Sequence, residues 1–164
     1  ARAVLPGMRA KGGGHIFQIS SQLGRVILPY SGHYSATKFA LEGLTDVLRL
    51  EMRDTNIKIV LIEPGPIPSK IRINSIPHFE RWIDWRNSAR RAQYETSLLK
   101  RLYEPSGKPD TFQLPASAVT AKILTALTVA NPRARYYVTN ATWISAISKR
   151  ILPQRLLDWV MAKG

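Results

Sequence analysis

The chain contains no cysteine. That absence removes disulfides and thiolate metal sites, leaves a reducing compartment as the default, and makes a cytoplasmic location the expectation. Acid is scarce: 11 Asp and Glu stand against 24 Lys and Arg, a formal charge of +13. No apolar run is long enough to cross a bilayer, and the opening residues lack a signal-peptide pattern. The three histidines, His15, His33 and His78, are scattered without metal-ligand spacing, so no metal is expected. Paired carboxylates suited to hydrolysis are missing too; Asp54 and Glu63 end a helical and a strand-like stretch. A phosphate cradle needs the order strand, glycines, helix, so that a helix N-terminus faces the phosphates. The triplet Gly12, Gly13, Gly14 runs the other way, from a helical stretch into a strand, and reads as a helix stop and turn.

What is present is globular. Of 164 residues, 45% are hydrophobic, enough for one domain with a substantial core. The sequence opens on Ala1 in the middle of a helical pattern, with no N-cap before it. We therefore expect part of a longer chain, with about a hundred residues ahead of Ala1 to complete a doubly wound domain. The excess of base would suit nucleic acid or an anionic membrane. Its scatter, without interleaved aromatics, fits better a piece that has lost an acidic half and faces an anionic cofactor, so nucleic acid is disfavoured.

Strand and helix patterns alternate. "HIFQIS" reads as a buried strand ending at Ser20 and Ser21. From about 33 to 55 the pattern is helical, with Ala36, Ala40, Leu44, Val47, Leu48 and Glu51 at spacings of three and four, an apolar stripe with charges opposite. "IKIVLIEPG" is a near-continuous apolar strand, of the kind buried on both faces of a parallel sheet, stopped by Pro64 and Gly65. After an interruption over 66–114, a helix follows at about 115–130 with Val119, Ile123 and Leu127 on one face, then a third strand in "ARYYVT". Such alternation predicts an α/β fold built on a doubly wound parallel sheet.

Two residues stand out chemically. Tyr34 and Lys38 lie four apart, on one face of a helix. An ammonium beside a phenol favours the phenolate, as a general acid or base at neutral pH requires. Ser21 falls at the carboxyl end of a parallel strand, where open α/β sheets bind ligands. Tyr30 competes for the phenol role, but it precedes the helix and reads as loop packing or pocket wall.

In combination these features are far more specific. "GHIFQISSQLG", thirteen residues from Ser21 to Tyr34, "YSATK", and "IEPGPIPS" resemble the short-chain dehydrogenase/reductases, closely over residues 1 to about 70 and more loosely beyond. The resemblance implies an incomplete Rossmann-like sheet whose N-terminal βαβ cofactor half is missing. It implies interconversion of an alcohol and a carbonyl with NAD or NADP, the residue that selects between them lying outside this sequence, as does the family's catalytic asparagine. It assigns proton transfer to Tyr34, support of the phenolate and a bond to the nicotinamide ribose to Lys38, and polarisation of the carbonyl to Ser21. Pro64 and Gly65 match the motif after the next strand. Ile67 takes the place whose backbone meets the nicotinamide amide, and Ser69 replaces the usual threonine while keeping its hydroxyl. This length by itself is expected to be inactive, and a homo-oligomer is expected.

Residues 66–114 occupy the place of the family's variable substrate lid. Phe79, Trp82, Trp85, Tyr94 and Tyr103 suit a bulky apolar substrate of retinoid, steroid or long-aldehyde type, or a lid helix packed on the body. The amphipathic segment 141–164, broken at Pro153, sets Trp143, Ile144, Ile147, Ile151, Leu156, Leu157 and Val160 beside Lys149, Arg150, Arg155 and Lys163. It suits a peripheral membrane contact, a cover over the site mouth or a subunit contact. The alternatives to an enzyme are a non-catalytic binding scaffold of the same family and a basic membrane- or nucleic-acid-binding module.

Overall fold

The computed structural model describes residues 1–103 and 109–162. Lys163 and residues 104–108 of the 66–114 insertion lie outside the described residues.

Helix α1 (Leu5–Ala10) ends at Lys11, and Gly12 follows with φ +78°, a left-handed conformation that glycine adopts without steric cost. The Gly12 and Gly13 amides return to the Arg9 and Met8 carbonyls, so the glycine triplet is a helix stop. Strand β1 (Gly14–Ile19) follows, then a 3₁₀ turn (Gln22–Gly24), helix α2 (Gly32–Glu51) and strand β2 (Ile57–Glu63). Further along come α3 (Ile71–Trp82), α4 (Arg91–Gln93), a π turn (Tyr94–Leu98), α5 (Leu99–Tyr103), α6 (Ser117–Thr128), β3 (Arg135–Tyr137), α7 (Asn140–Ile151) and α8 (Gln154–Met161).

Among the described residues the sheet has three strands in the order β1-β2-β3, all parallel. Gly14 pairs with Ile57 and Ile19 with Ile62, while Leu61 pairs with Arg135 and Glu63 with Tyr137. The central position of β2 explains its unbroken apolar run, because both of its faces are covered. Ile57 and Ile59 pack with Ile16 and Met52 on one side. Val60 and Ile62 pack with Ala126 and Val138 on the other. On α6 the buried face is Val119, Ile123 and Ala126, and Leu127 is exposed. The small Ala126 lets that helix come close to the sheet.

The 33–55 helix forms, but its buried face differs from the expected stripe. Ser35, Glu42 and Thr45 are buried, whereas Leu44 is 69% exposed and Val47 and Leu50 are exposed as well. Leu48 alone of the stripe packs against the core cluster. The cause is a set of ion pairs that turns the polar face of α2 towards the sheet, as the site geometry makes clear.

The chain divides into two compact units, one of residues 1–67 with 111–164 and one of 68–110. Within the second, the Tyr103 hydroxyl donates to Glu80 and Arg86 pairs with the same carboxylate. These contacts hold the Glu80 carboxyl below the usual carboxylate range. Phe79 and Tyr94 face one another with ring centroids 6.3 Å apart. Helices α7 and α8 belong to the first unit and leave Trp143, Ile144, Ile147, Ile151, Leu156, Trp159 and Val160 exposed. No helix among the described residues is long and apolar enough to cross a membrane.

Candidate active site

The carboxyl ends of β1 and β2 bring together Ser21, Lys38, Pro64 and Gly65. At the end of β1 the Ser20 amide donates to the Ile62 carbonyl at 2.8 Å, which carries the chain one residue past its last strand position. Ser21 then leaves the sheet with extended backbone (φ −163°, ψ 161°) and N-caps the 3₁₀ turn, its Oγ accepting the Leu23 amide at 3.1 Å. Ser21 is buried. Because the oxygen accepts that bond, the described contacts leave the hydroxyl hydrogen available to donate. The next amide, Gln22, donates to the Pro64 carbonyl at 2.8 Å. The Ser21 turn and the Pro64-Gly65 segment are therefore one hydrogen-bonded unit.

Tyr34 and Lys38 come from the first two turns of α2. The entry to that helix is held by Ser31, whose hydroxyl donates to the Leu28 carbonyl, accepts the Leu28 amide and lies 2.9 Å from the Ser35 hydroxyl. Just before it, Tyr30 has φ 63°. A side chain in this left-handed region costs of the order of 1 kcal/mol, so the loop entering α2 is tightly constrained. The Lys38 ammonium donates to the Ile19 carbonyl at 2.9 Å and lies 5.6 Å from the centroid of the Tyr34 ring. Phenol and ammonium thus share one helix face, and the ammonium stands at the end of the strand from which Ser21 departs.

Gly65 explains itself by crowding. A Cβ there would lie 2.0 Å from Thr139 Oγ1 and 3.0 Å from both Gln22 Oε1 and Thr142 Oγ1, so only glycine fits. Thr139 is the N-cap of α7, accepting the Thr142 amide at 3.3 Å. Gln22 Oε1 is buried without a hydrogen-bond partner. Ile67 packs against the β2–α6 core cluster. Ser69 is exposed in the 68–110 unit, where its Oγ accepts the Ile71 amide at the start of α3.

The sequence patterns missed one feature, a partly buried ionic network beside these residues, centred on the fully buried Glu63. Glu63, fully buried at the end of β2, accepts from Arg25 Nε at 2.7 Å through one oxygen and from Arg135 Nη1 at 2.9 Å through the other. Arg135 also pairs with Glu42 and with Asp46, both on α2. The Arg25 guanidinium covers the Tyr137 ring at 5.4 Å. Burial and then the nearby Glu42 carboxylate push the Glu63 carboxyl above its ordinary range, while Arg135 and Arg25 oppose that rise. Burial acts to lower the Arg135 guanidinium, yet its bonds to Glu63 and Glu42 outweigh it and raise it. The signal was a charged residue closing an otherwise apolar strand that is buried on both faces.

Known proteins resemble this chain in sequence and in fold. The family model described as short chain dehydrogenase matches residues 1–78. The chain is 35% identical over 158 residues to the uncharacterised oxidoreductase YbbO of Escherichia coli (strain K12), covering 96% of this chain and 52% of that protein. It is 30% identical over 154 residues to the NADPH-dependent 3-dehydrocapnine reductase of Ornithobacterium rhinotracheale, covering 94% and 52%. Its fold matches a short-chain dehydrogenase from Burkholderia cenocepacia J2315, solved in complex with NADP, with a TM-score of 0.68 at 20% identity, covering 98% of this chain and 54% of that one. The chain spans about half the length of the curated relatives it matches.

Proposed function

The chain belongs to the short-chain dehydrogenase/reductase family, and from that premise we infer that it carries the proton-transfer side of an NAD(P)-dependent oxidoreductase interconverting a carbonyl and an alcohol. The observation that carries this reading is the Lys38 ammonium, which is bonded to the Ile19 carbonyl two residues before Ser21 and lies 5.6 Å from the Tyr34 ring centroid. In the reducing direction the Tyr34 hydroxyl gives its proton to the carbonyl oxygen as charge develops there, and Ser21 donates to the same oxygen. The Lys38 ammonium stabilises the phenolate that results. In the oxidising direction the phenolate takes the proton back.

The residues present fit a nicotinamide dinucleotide. Lys38 has three donors, of which the Ile19 carbonyl takes one, leaving donors suited to ribose hydroxyls. Gly65 keeps side-chain bulk out beside the unpartnered acceptor Gln22 Oε1. Pro64, Gly65 and Ile67, and by the family resemblance Ser69, would add further contacts to the cofactor. When bound, such a cofactor supplies or accepts the hydride, and the protein supplies orientation and the proton. The naming of NADPH in the Ornithobacterium relative supports a reductive reaction, without fixing the preference of this chain.

We assign substrate selection to the 66–114 insertion, and a bulky apolar carbonyl compound to the substrate. The exposed Ile71, Ile73 and Trp82 support that class. The deciding experiment is Tyr34→Phe, assayed in the complete enzyme against a panel of apolar ketones and aldehydes with NADH and NADPH. Loss of turnover with cofactor affinity retained is the expected result. Turnover at the parental rate removes Tyr34 from the reaction.

A further inference from the structure

Strand β2 is apolar from Ile57 to Ile62 except at Lys58, and yet it ends in a fully buried carboxylate, Glu63. Burying charge is costly, and an apolar replacement for a buried ion pair is often as stable or more so. Core packing alone therefore gives no reason for an acid here. Geometry does. One Glu63 oxygen receives Arg25, which follows the 3₁₀ turn capped by Ser21; the other receives Arg135. Arg135 reaches in turn to Glu42 and Asp46, one and two helical turns beyond Lys38 on the side of α2 that faces the sheet. The turn and the helix also meet directly. A Cβ on Gly24 would lie 2.8 Å from Ser20 Oγ and 3.0 Å from Glu42 Cγ.

We propose that Glu63 and Arg25 are positioning residues: through its two arginines the Glu63 carboxylate locks the Ser21 turn to the helix that carries Tyr34 and Lys38. This rests on the roles given above to Ser21 and Tyr34. The Ser21 turn is then fastened at two consecutive residues of the strand end, at Glu63 by the Arg25 side chain and at Pro64 by the Gln22 amide. The helix is fastened to the same carboxylate by Arg135. A hydroxyl and a phenol that must meet one carbonyl oxygen come from elements with no covalent closeness, and displacements of about 1 Å cost such pairs up to roughly a hundredfold in rate. One buried acid with two guanidinium forks sets that spacing more rigidly than apolar side chains, because each bond is directional.

The test is a double-mutant cycle on kcat in the cofactor-loaded enzyme, with an apolar ketone as substrate. Arg25→Met is expected to lower kcat about tenfold or more while leaving the KM for cofactor within about twofold; in a Ser21→Ala background the same change is expected to cost less than about twofold. An equal loss in both backgrounds, or no loss in the parent, overturns the proposal. Where Arg25→Met does not fold, Arg25→Lys carries the test by amide hydrogen exchange. Faster exchange at Leu23, whose amide bonds Ser21 Oγ, with β2 unchanged supports the lock, and unchanged exchange at Leu23 overturns it. Tyr34→Phe run alongside separates the two levels. If it retains the parental rate, the reaction itself is misread; if it is inactive while Arg25→Met is unimpaired, the positioning role alone falls.

Discussion

Lys38 donates its ammonium to the carbonyl oxygen of Ile19 across 2.9 Å, and that bond joins the candidate proton donor's helix to the end of β1. The same ammonium sits 5.6 Å from the Tyr34 ring centroid, so one cation serves both anchoring and electrostatics. Lys38→Met keeps the aliphatic stem and removes both. Its kcat is expected to fall by about 10² or more, in the range of lost acid–base assistance. Stability should fall by only about 1 kcal/mol, one half-exposed hydrogen bond. Steady-state kinetics beside urea unfolding check the split; a large stability loss with modest loss of rate would make Lys38 structural.

Gly65→Ala should be among the most damaging small substitutions in the first unit. Its Cβ would fall 2.0 Å from Thr139 Oγ1, and overpacking at a tight site costs about 1–3 kcal/mol. Adding Thr139→Ala removes the clashing oxygen and should restore part of that loss, although the 3.0 Å approaches to Gln22 Oε1 and Thr142 Oγ1 remain. Urea midpoints of the single and double variants decide it. Without recovery in the double variant, the clash with Thr139 is not the cause.

Glu63 leaves a pH signature of definite sign. Burial, then Glu42, raise its carboxyl in the folded state, with Arg135 and Arg25 opposing, so above the unfolded-state value the folded protein holds more protons than the unfolded one. Stability from this group is therefore fully present below about pH 4.5 and is lost as pH rises through the higher folded value. Glu63→Gln cannot titrate. The stability difference, parent minus Glu63→Gln, should decline as pH rises from 4.5, measured as urea midpoints of both proteins. A difference that grows over that window would reverse the sign and show the arginines to dominate.

Some of this architecture was legible beforehand, for physical reasons that differ by element. Strand β2 was clear because burial on both faces demands an unbroken apolar run. The Tyr34–Lys38 pair was clear because helical periodicity alone brings residues four apart together, and the glycine stop at Gly12 because a positive φ leaves few alternatives. The orientation of α2 was not. Its apolar stripe suggested a core face, but Arg135 lies 93 residues from Glu42 and 72 from Glu63, and no local pattern announces a partner at that separation. With those pairs formed, the side of α2 that carries Glu42 and Asp46 meets the sheet, and the stripe is left facing outward. Local periodicity reports which residues share a helix face; it does not report what that face meets.

That outward turn leads to a last prediction. Phe39, Leu44, Val47 and Leu50 are exposed on α2, on a helix whose sheet-facing side is already held by Lys38, Glu42 and Asp46. Contiguous apolar surface of this kind marks a contact with another apolar surface. The expected homo-oligomer would use it, since the same stripe on a second copy is self-complementary under two-fold symmetry. Leu44→Asp with Val47→Asp places two charges in the middle of the stripe, on the side of α2 away from Glu63 and Arg135. The expected outcome is a lower molar mass by light scattering, the oligomer dissociating into its protomers, with an unchanged far-ultraviolet circular dichroism spectrum. A parent already monomeric at micromolar concentration, or a variant of unchanged mass, would remove α2 from the interface.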